Sequence, residues 1–330
     1  MFQKLILNIR DSFLLTRLRT WAKDTTFKGF RGVSLYSVLR FLYTEVFRNP
    51  LLMTRANSIA FSFFMSLFPA FLVLFSLIPF AITVLPITKS DVMKQITFTI
   101  AEIMPNKTGE IFIDGIGKFL KTKRSDFLSI GFILSIYFSS NGLLALMSSF
   151  DKNHAIFIRR TWIDKRLRSI AMTLMLGILL LVSTVLVILG NQIFLWIFKF
   201  LKLSAFTAAV VIFLKWLIVI GSIYIGIAFI YRFGIPTRKQ LHFFSPGAST
   251  AATLSLLSSI IFSFYVDHFG NYDKVYGSFV AGIVLLLWLQ LNAIILIFGF
   301  ELNAAISVNK HLLETTEEET GESEDFKNIF

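Results

Sequence analysis

The sharpest chemical signal in this 330-residue chain is a lone carboxylate. Glu301 is the one charged residue in the apolar run Val275–Ala305, and hydrocarbon penalises an ion there unless a neighbour or solvent compensates it. Arg55, entering the first long apolar run, and Arg232, leaving the fourth, are expected at the same membrane level and are its candidate ion-pair partners. Three roles stay open for Glu301: a fixed ion pair that locks helix ends, a carboxylate that binds substrate or carries a proton, and a solvated group at headgroup level. Lys215 lies inside the fourth run. It either snorkels to the outer interface on its four-carbon stem or sits buried as an anion-binding lysine. Asn141, Asn191, Gln192, Gln290, Asn292 and Asn303 add amides in or at the ends of apolar runs. Singly they serve as hydrogen-bonding glue between helices; several converging on one cavity would line a pathway.

Other chemistries lack their residues. There is no Cys, which removes disulfides, thiolate metal sites and thiol nucleophiles. His154, His242, His268 and His311 are far apart in sequence, without a paired His/Asp motif for a two-metal nuclease. No Gly-x-x-x-x-Gly-Lys-Ser/Thr loop is present for ATP, and no cofactor or metal is expected. The net charge of +12 raises nucleic-acid binding. The basic residues sit mainly beside apolar runs, however, where they meet phospholipid headgroups, so membrane lipids are the expected partners and nucleic acid is not.

The elements that must position these groups are membrane spans. With 55% hydrophobic and 16% charged residues, the chain is unlike a soluble globule, and its apolar residues fall in blocks of about 20 to 30, enough to cross a hydrocarbon core of about 30 Å. Six spans are predicted, at about 56–85, 127–150, 169–198, 204–231, 245–266 and 275–305. The last two are separated by eight residues and must form an antiparallel hairpin. Small residues four apart, Gly247/Ala251 on one arm and Gly277/Ala281 with Ser278/Gly282 on the other, let two helices approach closely. Pro69 and Pro79 are expected to kink the first span, and Ser139-Ser140-Asn141-Gly142 interrupts the second with a polar patch.

Around the six-span domain (56–306) lie three further pieces. Residues 1–55 form a basic segment. Within it, Leu35, Val38, Leu39, Leu42 and Val46 make an amphipathic helix that either lies on the membrane surface or packs on the protein's own helix ends. Residues 86–126 are expected to form a helical outer cap, with a turn at Pro105-Asn106. Residues 307–330 are an acidic tail, expected to be disordered. Six spans place both termini on one side. That side carries 21 of the Lys and Arg residues against 10 on the other, so the positive-inside rule puts both termini in the cytoplasm. The fold expected is all-α, a polytopic integral membrane protein with six transmembrane helices and amphipathic flanking helices.

Tyr265, Phe269-Gly270, Tyr272, Tyr276-Gly277-Ser278, Trp288 and Gly299-Phe300-Glu301-Leu302-Asn303 resemble the C-terminal signature of the YihY / virulence factor BrkB family. Ala60-Phe61, Ser66-Leu67-Phe68-Pro69, Lys165-Arg166-Leu167 and Pro246-Gly247-Ala248 fit the same family, so the resemblance covers about residues 30–306. It implies a six-span protein of the bacterial cytoplasmic (inner) membrane with both termini inside. Members once carried the label ribonuclease BN, which the scattered histidines do not support. The resemblance also implies membrane transport, including of lipid or lipid-like molecules. The expected function is therefore translocation of an amphipathic substrate, without enzymatic activity. The rival is a non-transporting scaffold that docks an envelope protein or a second copy of the chain through its outer cap or acidic tail. An intramembrane enzyme would need titratable groups clustered on one cavity.

Overall fold

The computed structural model describes residues 13–84, 97, 128–201, 206–238, 240–269 and 279–329. The segment 86–126, apart from residue 97, and the connection 270–278 lie outside the described residues, and with them the expected outer cap and Gly277. Helices are α1 (Phe13–Asp24), α2 (Leu35–Leu42), α3 (Leu51–Val84), α4 (Leu128–Ser139), α5 (Asn141–Ser149), α6 (Trp162–Leu201), α7 (Phe206–Phe229), α8 (Pro246–Phe269) and α9 (Phe279–Ile329). Among the described residues, extended pairing is limited to one bridge between Phe157 and Thr237. Six helical stretches are long and apolar enough to cross a membrane: Leu51–Ala70, Phe132–Ser149, Trp162–Ser183, Trp216–Gly234, Pro246–Phe264 and Gly282–Thr316. The fold is all-helical and polytopic.

Local chemistry explains the boundaries. Pro50 cannot continue a helix from its N-terminal side, and Asn49 Oδ1 accepts the Leu51 N–H at 3.0 Å, so α3 begins there. It then runs through Pro69 and Pro79 without leaving helical conformation. The second span breaks at the polar patch: α4 ends at Ser139 and α5 starts at Asn141. There the Ser139 and Ser140 hydroxyls turn back to donate to the carbonyls of Ile136 and Tyr137, competing with the helical ladder. After α7 the backbone widens into a π-turn, Ile230–Gly234, and leaves the helix ahead of Pro236.

α9 is the central post, contacting α2, α3 and α8. The core gathers around it at the end of the bundle that holds the start of α3. Phe150 stacks on Phe300 with centroids 4.6 Å apart and meets Tyr231 edge-on at 5.9 Å. Tyr231 Oη donates to the Leu296 carbonyl at 2.7 Å. Ala56, Ile59, Leu146, Met147 and Ile297 complete the packing.

Two expectations need correction. First, Gly282 takes no part in the close seam of the α8–α9 hairpin, which joins Gly247 and Ala251 to Gly299. A Cβ on Gly247 would lie 2.1 Å from the Gly299 carbonyl oxygen, and one on Gly299 would lie 2.8 Å from Ala251 Cβ, whereas one on Gly282 would meet nothing within 4 Å. In an antiparallel pair, the start of α8 faces the later part of α9. Gly247 and Ala251 therefore pair with Gly299; Gly277 and the side chain of Ala281 lie outside the described set. Second, α9 stays helical to Ile329, through the segment expected to be disordered. No Pro follows Pro246, and Glu-rich sequence has good helix propensity. The amphipathic stripe of residues 35–46, for its part, packs on the protein's own helix ends. Val38 and Leu42 bury against Leu302, Ala305 and Ile306 of α9, while Leu39, Tyr43 and Phe47 stay exposed. A π-turn at Tyr43–Phe47 adds a residue per turn, and Val46 within it still packs against the same cluster.

Candidate functional site

Glu301 is 1% exposed, one residue beyond the Phe300 ring that stacks on Phe150. The same stack positions its main partner. The chain turns tightly after α5, with Phe150 N–H on the Met147 carbonyl and Asp151 N–H on that of Ser148. With Phe150 pinned in the core, Lys152 is carried back towards α9. Its Nζ lies 2.6 Å from Glu301 Oε2 and 2.9 Å from Glu45 Oε2, the latter presented by the π-turn after α2. Arg55, in the second turn of α3, reaches Glu301 Oε1 at 3.8 Å. Two carboxylates and two cations from four separate segments thus meet at one end of the bundle.

This cluster is held by charge more than by hydrogen bonding. Both Glu301 oxygens are buried without a well-aligned hydrogen-bond donor among the described residues, so Lys152 and Arg55 compensate the carboxylate electrostatically. The Lys152 ammonium is also flanked by the faces of Phe41, at 4.9 Å, and Phe300, at 5.8 Å, where ring quadrupoles favour a cation. Removing one member of such a cluster leaves an uncompensated buried charge, a larger loss than the intact pair is worth.

The other candidates fall elsewhere. Arg232 does not join Glu301: its NH1 donates to the Leu241 carbonyl at 3.5 Å and its guanidinium lies over Phe243. The π-turn that carries it points it towards the 241–243 strap, away from α9. Asn303 is 3% exposed and braces the start of α8. Its Oδ1 accepts the Gly247 N–H at 2.9 Å and its Nδ2 donates to Ser245 Oγ at 3.1 Å. Asn141 accepts from Arg166 NH1 at 2.7 Å. Lys215 lies on α7, its side chain outside the described set. Gln290 Nε2 donates to Asn57 Oδ1 at 2.7 Å, tying α9 to α3. These amides bind helix to helix at separate places and do not converge on one cavity.

The sequence reading passed over Lys152, Glu45, Arg160 and Arg166 as functional positions. Arg166 is 5% exposed and fills the gap between α4 and α5. Its NH2 donates to the Tyr137 carbonyl at 2.7 Å, with the guanidinium 3.4 Å over the Tyr137 ring. Arg160 donates to the carbonyls of Phe233, Gly234 and Ile235, satisfying the end of the π-turn after α7. Burial pulls its guanidinium below the ordinary arginine value; repulsion from Arg168 adds to this and Asp164 opposes it. A signal existed for Arg166 alone: it shares a helical stripe with the buried Ser169 and Met172. Among the described residues no group of three or more His, Asp or Glu is placed to hold a metal ion.

Six apolar helices closed at one end by a buried charge cluster define a polytopic α-helical membrane protein. Its sequence matches the family profile of virulence factor BrkB over residues 44–324, and the chain belongs to that family. It is 28% identical over 259 residues to the ribonuclease-like protein YfkH of Bacillus subtilis, covering 78% of this chain and 91% of that one. It is 27% identical over 251 residues to a UPF0761 membrane protein of Vibrio campbellii, covering 73% and 76%. A UPF0761 membrane protein of Pseudoalteromonas translucida is 33% identical over a shorter stretch, 35% of this chain and 38% of that one. No solved structure matches the chain.

Proposed function

We propose that the protein translocates an amphipathic, lipid-like substrate across or within the bacterial cytoplasmic membrane, with both termini in the cytoplasm. The observation that carries this reading is the cluster in which the buried Glu301 meets Lys152 and Arg55, with Glu45 at its edge. Rigidity alone is served as well or better by apolar packing. A charge cluster drawn from four segments at one end of a bundle can instead be broken and remade, as a closing contact must be. The excess of Lys and Arg on the terminal side supports the cytoplasmic orientation.

The test is reconstitution of the full chain into liposomes with fluorescent phospholipid in one leaflet. The reading expects redistribution between leaflets faster than in protein-free vesicles, altered when Lys152 is changed to Met. Transfer of neither lipid nor small solutes above the protein-free rate overturns it. A second reading, a scaffold that moves nothing, is favoured by the extension of α9 to Ile329, well past its apolar stretch. Under that reading, truncation after residue 310 removes partner association and leaves the vesicle experiment blank.

A further inference from the structure

A second polar feature lies beside the Glu301 cluster, between the end of α5 and the start of α6. Asp151, Lys152, Ile158, Arg159, Arg160 and Lys165 line a cavity of about 310 Å³, the lower end of the range of small-molecule sites, about 300–1,000 Å³. Four cations and one carboxylate face it. Lys152 is matched by Glu301 and Glu45, and Lys165 by Asp151. Arg160 spends NH1 and NH2 on backbone carbonyls, and its Nε lies 3.7 Å from Asp164 Oδ2. Arg159 is different: it is exposed, its NH2 donates to the neutral Asn153 Oδ1 at 3.2 Å, and among the described residues no carboxylate pairs with it. The cavity therefore holds a guanidinium fork with spare donors in a locally positive field, which suits a tetrahedral oxyanion.

Its height narrows the ligand. The cavity sits directly before Trp162, where the third candidate span begins, and after Ser149, where the second ends. That is the level of phospholipid headgroups. Ile158 on its wall is 47% exposed, and the neighbouring Trp162 and Ile163 are each 64% exposed. A basic cavity with an apolar and indole rim matches a ligand that is anionic at its head and greasy behind it.

We propose that this cavity binds a phosphate-bearing anion through Arg159 and Lys165, with Asp151 setting the affinity from the opposing side. The phosphate can belong to an anionic phospholipid or be free in solution. The site stands whether or not the protein translocates anything.

The experiment is native mass spectrometry of the full chain in detergent, titrated separately with phosphatidylglycerol, phosphatidylcholine and inorganic phosphate. Arg159→Gln is expected to weaken anion binding about tenfold, the scale of one charge-assisted contact. Asp151→Asn is expected to tighten it severalfold, a gain that a misfolded protein could not give. Lys310→Gln, which removes the same charge nine residues beyond Glu301 on α9 and outside the cavity lining, is expected to change nothing. Preference for phosphatidylglycerol over phosphatidylcholine, with these effects, supports the site and assigns it to lipid. Inorganic phosphate binding with the same variant pattern supports the site and assigns it to a soluble anion. Equal retention of both lipids with no phosphate binding overturns the proposal, as does binding that ignores Arg159→Gln and Asp151→Asn.

Discussion

Arg166 shows how a charge is kept inside the bundle without an opposite charge. Its guanidinium lies on the Tyr137 ring and bonds to the Asn141 amide and the Tyr137 carbonyl, all at the break between α4 and α5. Lysine could supply the charge but not the planar fork, so Arg166→Lys is expected to lower stability by about 2 kcal/mol, leaving buried acceptors unpaired. Thermal unfolding in detergent measures this, and an unchanged midpoint would show that the fork is dispensable. Composition could not expose this role. In sequence Arg166 is one of six basic residues between Lys152 and Arg168, and a charge count treats them alike as headgroup contacts. In the structure Lys152, Arg160 and Arg166 are turned inward to a carboxylate, a row of carbonyls and a helix break.

At the scale of elements, two glycines separate packing from mere smallness. Gly247 faces the Gly299 backbone so closely that a methyl group cannot fit, whereas Gly282 has open space around its Cβ position. Gly247→Ala is expected to force α8 away from α9 at a cost of about 1–3 kcal/mol. Gly282→Ala should be neutral or stabilise by up to about 1 kcal/mol through helix propensity. Chemical denaturation of both variants checks the contrast, and equal effects would contradict the seam assigned here. The spacing of small residues picks out Gly247 but not Gly299, the residue it meets. Periodicity finds a face of a helix; which stretch of the neighbour meets it depends on where the hairpin pairs, and Asn303 braces the start of α8 there.

At the scale of the molecule, the six spans were plain because twenty consecutive apolar residues have few other solutions. Arg55 beside Glu301 could be anticipated from depth alone. Lys152 could not, because its approach depends on a turn after α5 and an aromatic stack between Phe150 and Phe300. The acidic tail misled because charge predicts solvation, not backbone conformation: α9 remains helical there. Orientation is testable cleanly since the chain has no Cys. Single substitutions Thr20→Cys and Thr315→Cys, both at exposed positions, should react with a membrane-impermeant maleimide from the same face, the cytoplasmic one. Labelling from opposite faces would break the six-span arrangement.

The closed end of the bundle depends most on Lys152 and Glu301 compensating each other where four segments meet. A double-mutant cycle with Lys152→Met, Glu301→Gln and the pair together, followed by unfolding in detergent, tests this directly. Each single change is predicted to destabilise, Lys152→Met by about 3–5 kcal/mol. The double variant should lose less than the sum, with a coupling of about 1–3 kcal/mol. Additive losses would mean that the two groups do not sense each other, and the latch at the end of the bundle would have to be abandoned.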